Sequence, residues 1–252
     1  MQGVSEVLTE TRQSQALYSR LARRYDSVFE RAILAEGRLT SFVRRHMDGR
    51  SVLDLACGNG RWLSRFAPSA YVGLDLNDAM LEQARGRYPH ARFVHGDMTD
   101  IPFPDGSYEG VVSLFGAMGH LPPEEQRLMV KEVRRALVEG GTAIFTNGNM
   151  WSPFNLPTTL KGNRVRLEGI RFKVHSATPR SFSELLEGFS ILRLESYDFS
   201  YLPIMPLKLG CSLMNGDYRQ AYGSVMDVLD QCSYVPVLRW FGKQLFAVCR
   251  KN

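Results

Sequence analysis

Few folds accommodate the stretch at residues 51–60, Ser-Val-Leu-Asp-Leu-Ala-Cys-Gly-Asn-Gly. Val52, Leu53 and Leu55 form the short apolar run of a buried strand, which breaks into Gly58, Asn59 and Gly60. Trp62, Leu63 and Phe66 then fall on one helical face. A strand, a glycine turn and a helix in that order point backbone N–H groups outward at the helix start. Glycine suits the turn because a Cβ would keep a ligand away from the backbone. Such a turn occurs in many doubly wound proteins and names no ligand by itself.

The residues that follow narrow the reading. Ala70 to Leu76 reads as a second strand with Asp75 near its end, where an acid can accept hydrogen bonds from both hydroxyls of a ribose. Ala91 to His95 reads as a third strand running into Gly96-Asp97-Met98, and Asp97 can accept from an exocyclic adenine amine. Tyr108 to Leu114 gives a fourth strand, followed by Phe115-Gly116-Ala117-Met118-Gly119-His120. Asn77 is placed to cap a helix over 78–87 that buries Met80, Leu81 and Ala84 and ends before Pro89. Pro122 and Pro123 start the next helix, Gly140-Gly141 are read as its stop, and 142–147 is the fifth strand. Strands and helices alternating at this spacing imply a parallel sheet with right-handed crossovers. Ligands sit at the C-terminal strand ends of such sheets, where Gly58, Asp75, Asp97 and Leu114 would converge.

With these residues in order, the chain resembles the class I S-adenosylmethionine-dependent methyltransferases. The resemblance rests on Val-Leu-Asp-Leu-Ala-Cys-Gly-Asn-Gly at 52–60, Gly-Leu-Asp-Leu at 73–76, Gly-Asp-Met at 96–98 and Ala-Leu-Val-Glu-Gly-Gly-Thr before the strand at 142–147. It is strong over about residues 50–148 and looser elsewhere. One departure is Ala56, where the family's loop often has its first glycine. The resemblance implies an α/β fold, a Rossmann-like seven-stranded sheet with an antiparallel last strand, N-terminal helices and a substrate cap. It also implies one domain over 1–252: a helical lid at 1–48, a cofactor-binding core at 49–147, and cap insertions with the last helix and strands at 148–252.

Outside the core the pattern is less regular. Residues 1–12 read as a mobile tail. From Ser14, Leu17, Leu21 and Tyr25 form one stripe, continued by Val28, Phe29, Ile33 and Leu34 and then by Leu39, Phe42, Val43 and Met47. Residues 165–174 alternate as one strand would, 181–188 read as the last sheet-covering helix, and 189–199 and 246–250 as the sixth and seventh strands. Residues 200–242, rich in Leu, Met and aromatics, are expected to pack with the N-terminal helices as a cap.

The 252 residues allow one large domain, and their apolar content is that of a globular protein. The four cysteines, Cys57, Cys211, Cys232 and Cys249, form no Cys-x-x-Cys pair and no zinc-like cluster. They are read as free thiols, with no metal site, in a reducing, cytoplasmic setting. The start lacks the apolar core of a signal peptide, and no stretch reaches the roughly 20 apolar residues needed to span a bilayer. The net charge of +5 comes partly from Arg20, Arg23, Arg24, Arg44 and Arg45, read as solvated helical faces.

The resemblance assigns roles residue by residue. Ala56, Gly58 and Gly60 would cradle the methionine moiety and ribose of S-adenosyl-L-methionine. Asp54 would orient the loop or meet the ammonium through water. Asp75 with Leu76 would hold the ribose, Met80 the adenine face, and Asp97 with Met98 the adenine edge. Tyr18 and Tyr25 would face the methionine end, with Leu114 and Phe115 near the methyl group. His120 is the candidate general base for a hydroxyl acceptor.

Asn/Asp-Pro-Pro-Tyr, which marks many amino-methyltransferases of adenine or glutamine, is replaced by Ser113-Leu114-Phe115-Gly116. A nucleophilic cysteine after strand four or five is also missing. Both features argue against a nucleic-acid partner and for a small-molecule methyl acceptor, methylated on oxygen or nitrogen. The alternatives are a nucleic-acid methyltransferase and an NAD-dependent oxidoreductase. Against the second, Gly58-Asn59-Gly60 continues with Arg61, Trp62 and Leu63 rather than completing Gly-x-Gly-x-x-Gly. Oligomeric state is left open.

Overall fold

A computed structural model of the chain describes residues 2–29, 36–198 and 240–252. Strands β1 (Ser51–Leu55), β2 (Ala70–Asp75), β3 (Arg92–His95), β4 (Tyr108–Ser113), β5 (Leu137–Gly148), β8 (Phe189–Tyr197) and β9 (Gln244–Lys251) form one sheet, ordered β3-β2-β1-β4-β5-β9-β8. The first five run parallel, and β9 pairs antiparallel with both β5 and β8. Between β5 and β8 lies a separate antiparallel hairpin, β6 (Arg164–Leu167) and β7 (Ile170–Lys173).

Period-two alternation along the strands divides the core between two faces. Val111, Ala143, Phe145, Leu245 and Ala247 face one side, against Met129, Val130 and Val133 of α5 (Pro123–Ala136) and Phe182 of α6 (Pro179–Leu185). Val112, Ile144, Phe246 and Val248 face the other, against Leu39, Phe42, Val43 and Met47 of α3 (Gly37–Met47), with Trp62 and Phe66. Each helix thus buries the apolar stripe its sequence carries.

Several sequence expectations are corrected. The N-terminal residues are not a tail: α1 spans Gln2–Leu21. Residues 2–13 hold one glycine and no proline, so nothing there breaks a helix. Leu17 and Leu21 bury their stripe against Phe172 of β7, and the short α2 (Tyr25–Val28) follows. The segment after Gly60 is a short 3-10 turn, Arg61–Arg65, not a full helix, although Trp62 and Phe66 are buried as expected. Helix α5 ends at Ala136, before Gly140-Gly141. Those glycines lie in β5, where the register jumps from Leu137 to Thr142 and Gly140 takes φ +71°. Residues 165–174 turn back at Glu168-Gly169, whose positive φ values make a two-residue hairpin turn. Helix α4 (Asp78–Arg87) matches its predicted span, with the Asn77 side chain accepting from the Met80 N–H. Ile33, Leu34, Cys211, Cys232 and most of the expected cap at 200–242 lie outside the described residues.

Candidate functional site

The C-terminal tips of β1, β2, β3 and β4 surround a cavity of about 250 Å³. Tyr18, Tyr25, Asp54, Ala56, Gly58, Asp75, Leu76, Met80, Asp97, Met98, Leu114, Phe115 and His120 all line it. Gly60 does not. Its φ is +70°, and a Cβ there would come within 3.0 Å of the Phe93 ring, so it serves the turn and its packing. The site draws together residues more than a hundred positions apart because a parallel sheet brings all its strand ends to one edge.

The loop after β1 is held in a left-handed conformation at Ala56, Gly58 and Gly60. A Cβ on Gly58 would sit 3.0 Å from the Met80 Cε, so glycine keeps this floor open. The Asp75 carboxylate fixes the loop from β2. One oxygen accepts the Gly58 N–H at 2.7 Å and the other the Asn77 N–H at 2.8 Å. The Leu76 N–H also donates to this carboxylate, and the lone pairs left over suit a diol. Burial raises the Asp75 pKa, partly offset by these N–H donors. At the third strand, Asp97 Oδ1 accepts both the N–H and the hydroxyl of Thr99 at 2.8 Å, which sets the direction of its carboxylate.

Asp54 is 1% exposed, and burial raises its pKa to about 7 although the Tyr71 hydroxyl donates to it at 2.7 Å. His120 sits edge-on to Tyr18 and beside Phe172. Its Nε2 lies 2.7 Å from the Tyr18 hydroxyl and its Nδ1 3.4 Å from Ser14 Oγ. Burial, and to a lesser degree His175, lowers its pKa to about 4. The ring is therefore neutral near pH 7, with one nitrogen free of a proton. Burial also raises the Tyr18 pKa, which keeps that phenol protonated.

Reading from sequence missed an ion pair beneath the site. Arg61 donates twice to Glu36, at 2.6 and 2.7 Å, and both side chains are buried. Burial works against the Arg61 charge, but the Glu36 carboxylate outweighs it and pushes the guanidinium up. The guanidinium also stacks 4.5 Å from the Phe115 ring centroid, bracing a residue held at φ +60°. Arg61 directly follows the glycine turn, which is a signal of a kind. Glu36 lies in Ala-Glu-Gly-Arg, which carries none. Asn59 donates to Asp26, a second tie between the turn and the N-terminal helices. The basic run is partly tied down: Arg24 pairs with Glu168, and Arg44 donates to the Arg65 carbonyl.

A second cavity of about 250 Å³ lies beside the first and shares Tyr18, Phe115 and His120 with it. It opens over the ends of β5 and β9 and is walled by Leu17, Val165, Phe172 and Val174.

A doubly wound sheet with a glycine turn after its first strand and acids at its second and third strand tips defines a nucleoside-cofactor-binding α/β domain. Residues 52–141 match the model of a methyltransferase domain. The chain is 36% identical over 107 residues to the fatty-acid O-methyltransferase of Mycolicibacterium smegmatis, covering 40% of this chain and 38% of that protein. It is 33% identical over 138 residues to the demethylmenaquinone methyltransferase of Thermotoga maritima, covering 51% and 58%. The chain thus spans less than two thirds of either relative. A methyltransferase of Haloferax volcanii, solved in complex with the activator Trm112, superposes with a TM-score of 0.65 at 20% identity, covering 93% of this chain and 97% of that one. Over residues 52–141 the chain thus carries a methyltransferase domain, and the matched relatives and the fold support the class I S-adenosylmethionine-dependent kind. Among the described residues no helix is long and apolar enough to cross a membrane.

Proposed function

We propose that the chain transfers the methyl group of S-adenosylmethionine to an oxygen or nitrogen of a small, partly apolar molecule. The observation that carries this reading is the pair of adjoining cavities, which meet at Tyr18, Phe115 and His120. The first has the side chains the cofactor calls for. Asp75 suits a ribose diol and Asp97 an adenine amine. Met80, Leu76 and Met98 give adenine apolar walls. Ala56, Gly58 and Asp54 face the methionine end with Tyr18 and Tyr25, Leu114 stands near the methyl group, and Phe115 also borders the second cavity. The bound cofactor supplies an electrophilic methyl on a sulfonium. The protein's part is to align donor and acceptor and to keep water out. Neutral His120, joined to Tyr18, accepts the proton of a hydroxyl acceptor. Relatives named for a fatty acid and a demethylmenaquinone support an apolar acceptor.

Calorimetric titration with S-adenosylmethionine, S-adenosylhomocysteine and NADH tests the reading. The sulfur compounds are expected to bind and NADH is not. Asp75→Ala is expected to abolish binding, since the diol loses its acceptor. Unaltered affinity in that variant would remove Asp75 from its role.

A further inference from the structure

The segment that joins β5 to β6 carries its polarity inside out. Of the seven large apolar side chains exposed among the described residues, Trp151, Phe154, Leu156 and Leu160 fall within ten consecutive positions, and Leu160 is 78% exposed. The residues that turn inward between them are polar. Ser152 is fully buried, and Asn155 donates to the Asn149 and Lys243 carbonyls at 2.8 Å each. Leu156 and Leu160 stand one turn apart on the short helix Leu156–Leu160 and so share a face. Single exposed apolar residues are ordinary, but a cluster of them marks an interaction site. The β6–β7 hairpin follows at once, with the Asn163 N–H donating to the Thr158 carbonyl at 2.9 Å. One face of the hairpin, with Val165, Leu167 and Phe172, packs with Leu17 and Leu21 of α1. The other sets Arg164 opposite Lys173 and Arg166 opposite Arg171. Like charges directly opposed across two strands are destabilising. Lys161 adds a fifth cation, while the one acid of the hairpin, Glu168, is already paired with Arg24. Among the described residues Arg164, Arg166 and Arg171 enter no ion pair.

We propose that residues 151–173 dock the protein on an anionic lipid surface. Trp151, Phe154, Leu156 and Leu160 enter the boundary between headgroups and acyl chains, and the cationic face of the hairpin meets the phosphates. A bilayer boundary sets an apolar layer directly beneath an anionic one, which is the pairing that these two adjoining elements call for. Tryptophan suits it, since its ring is apolar with one polar edge. A nucleic acid would answer the cations alone, because leucines give its bases no stacking platform. The docking stands without the methyl-transfer reading, and one consequence rests on that reading. Asn155, Val165, Leu167 and Phe172 also wall the second cavity, so an apolar acceptor held in the bilayer would reach the cavity along the elements that dock.

The test is cosedimentation of the full chain with vesicles of phosphatidylcholine, alone or mixed with phosphatidylglycerol. The mixed vesicles are expected to bind the protein, phosphatidylcholine alone to bind it far less, and added salt to weaken the binding. Arg166→Gln with Arg171→Gln is expected to weaken binding about thirtyfold, the worth of two interfacial cations, without lowering the melting temperature, because the pair repels. Trp151→Ser with Leu160→Ser is expected to weaken it about tenfold or more. Arg45→Gln with Arg127→Gln removes the same charge from exposed positions on other helices and is expected to leave binding nearly unchanged. S-adenosylhomocysteine affinity is expected to match wild type in every variant. No preference for the anionic vesicles, an equal loss in the Arg45 and Arg127 control, or binding untouched by both of the first two pairs of substitutions overturns the proposal. So does a concentration-dependent dimer that Trp151→Ser with Leu160→Ser dissolves while vesicles are ignored, since the face then belongs to a second copy. Vesicle binding as expected, with no binding of S-adenosylhomocysteine, supports the docking and sinks the methyl-transfer reading alone.

Discussion

Ala56 sits at φ +54°, a conformation that costs an alanine roughly 1 kcal/mol and a glycine almost nothing. Ala56→Gly is therefore expected to stabilise the protein by up to about 1 kcal/mol, read from the midpoint of urea unfolding; a loss of stability would mean that the methyl group packs better than its backbone suffers. Asp54 carries a different consequence. Its pKa, raised to about 7, means the folded state holds a proton that the unfolded state gives up near pH 4. This contribution to stability is present below about pH 4 and is lost as pH rises toward 7. Binding of a ligand ammonium favours the ionised form, so S-adenosylhomocysteine affinity is expected to rise about tenfold between pH 6 and pH 8 and to flatten in Asp54→Asn. A flat wild-type profile would separate Asp54 from the ligand.

At the scale of elements, the Glu36–Arg61 pair fastens the turn after β1 to the residue preceding α3. Glu36→Gln leaves the Arg61 charge buried without its partner, which costs about 3–5 kcal/mol and is expected to lower the melting temperature by about 10 °C. A shift of only a degree or two would place this pair among the weak surface kind. The elements were legible from sequence wherever local pattern and tertiary demand agree. Asn77 caps α4 as its side chain dictates, and the five parallel strands read directly from apolar runs ending in Gly or Asp. Gly140-Gly141 misled because paired glycines serve a strand bulge as well as a helix stop. Leu-Glu-Gly-Ile hid a turn inside an alternating run. Much of the first cavity was readable because many of its residues, such as Gly58, Leu76, Asp97 and Leu114, follow a strand end. Glu36 was not legible, because its role depends on Arg61, which reaches it only once the turn after β1 packs against the residue before α3.

At the scale of the whole molecule, the sheet turns separate strand tips into one surface with two adjoining cavities. A ligand that binds only the folded state stabilises it by mass action. S-adenosylhomocysteine at a hundred times its dissociation constant is expected to add about 2.7 kcal/mol, a rise of roughly 5–10 °C in the melting temperature, and no rise would count against a formed cofactor site. The sheet order also governs how the protein can be made. Strand β9 is the last in chain order, yet it lies between β5 and β8, with Leu245, Phe246, Ala247, Val248 and Cys249 fully buried. While a ribosome works from Gly148 to Gln244, 96 residues on (244 − 148), β5 has no partner on that side. At about 5–20 residues per second the bare edge persists for roughly 5–20 seconds. Throughout that interval each nascent copy displays an apolar strand edge to its neighbours on the polysome, so aggregation during synthesis should track translation speed through this stretch.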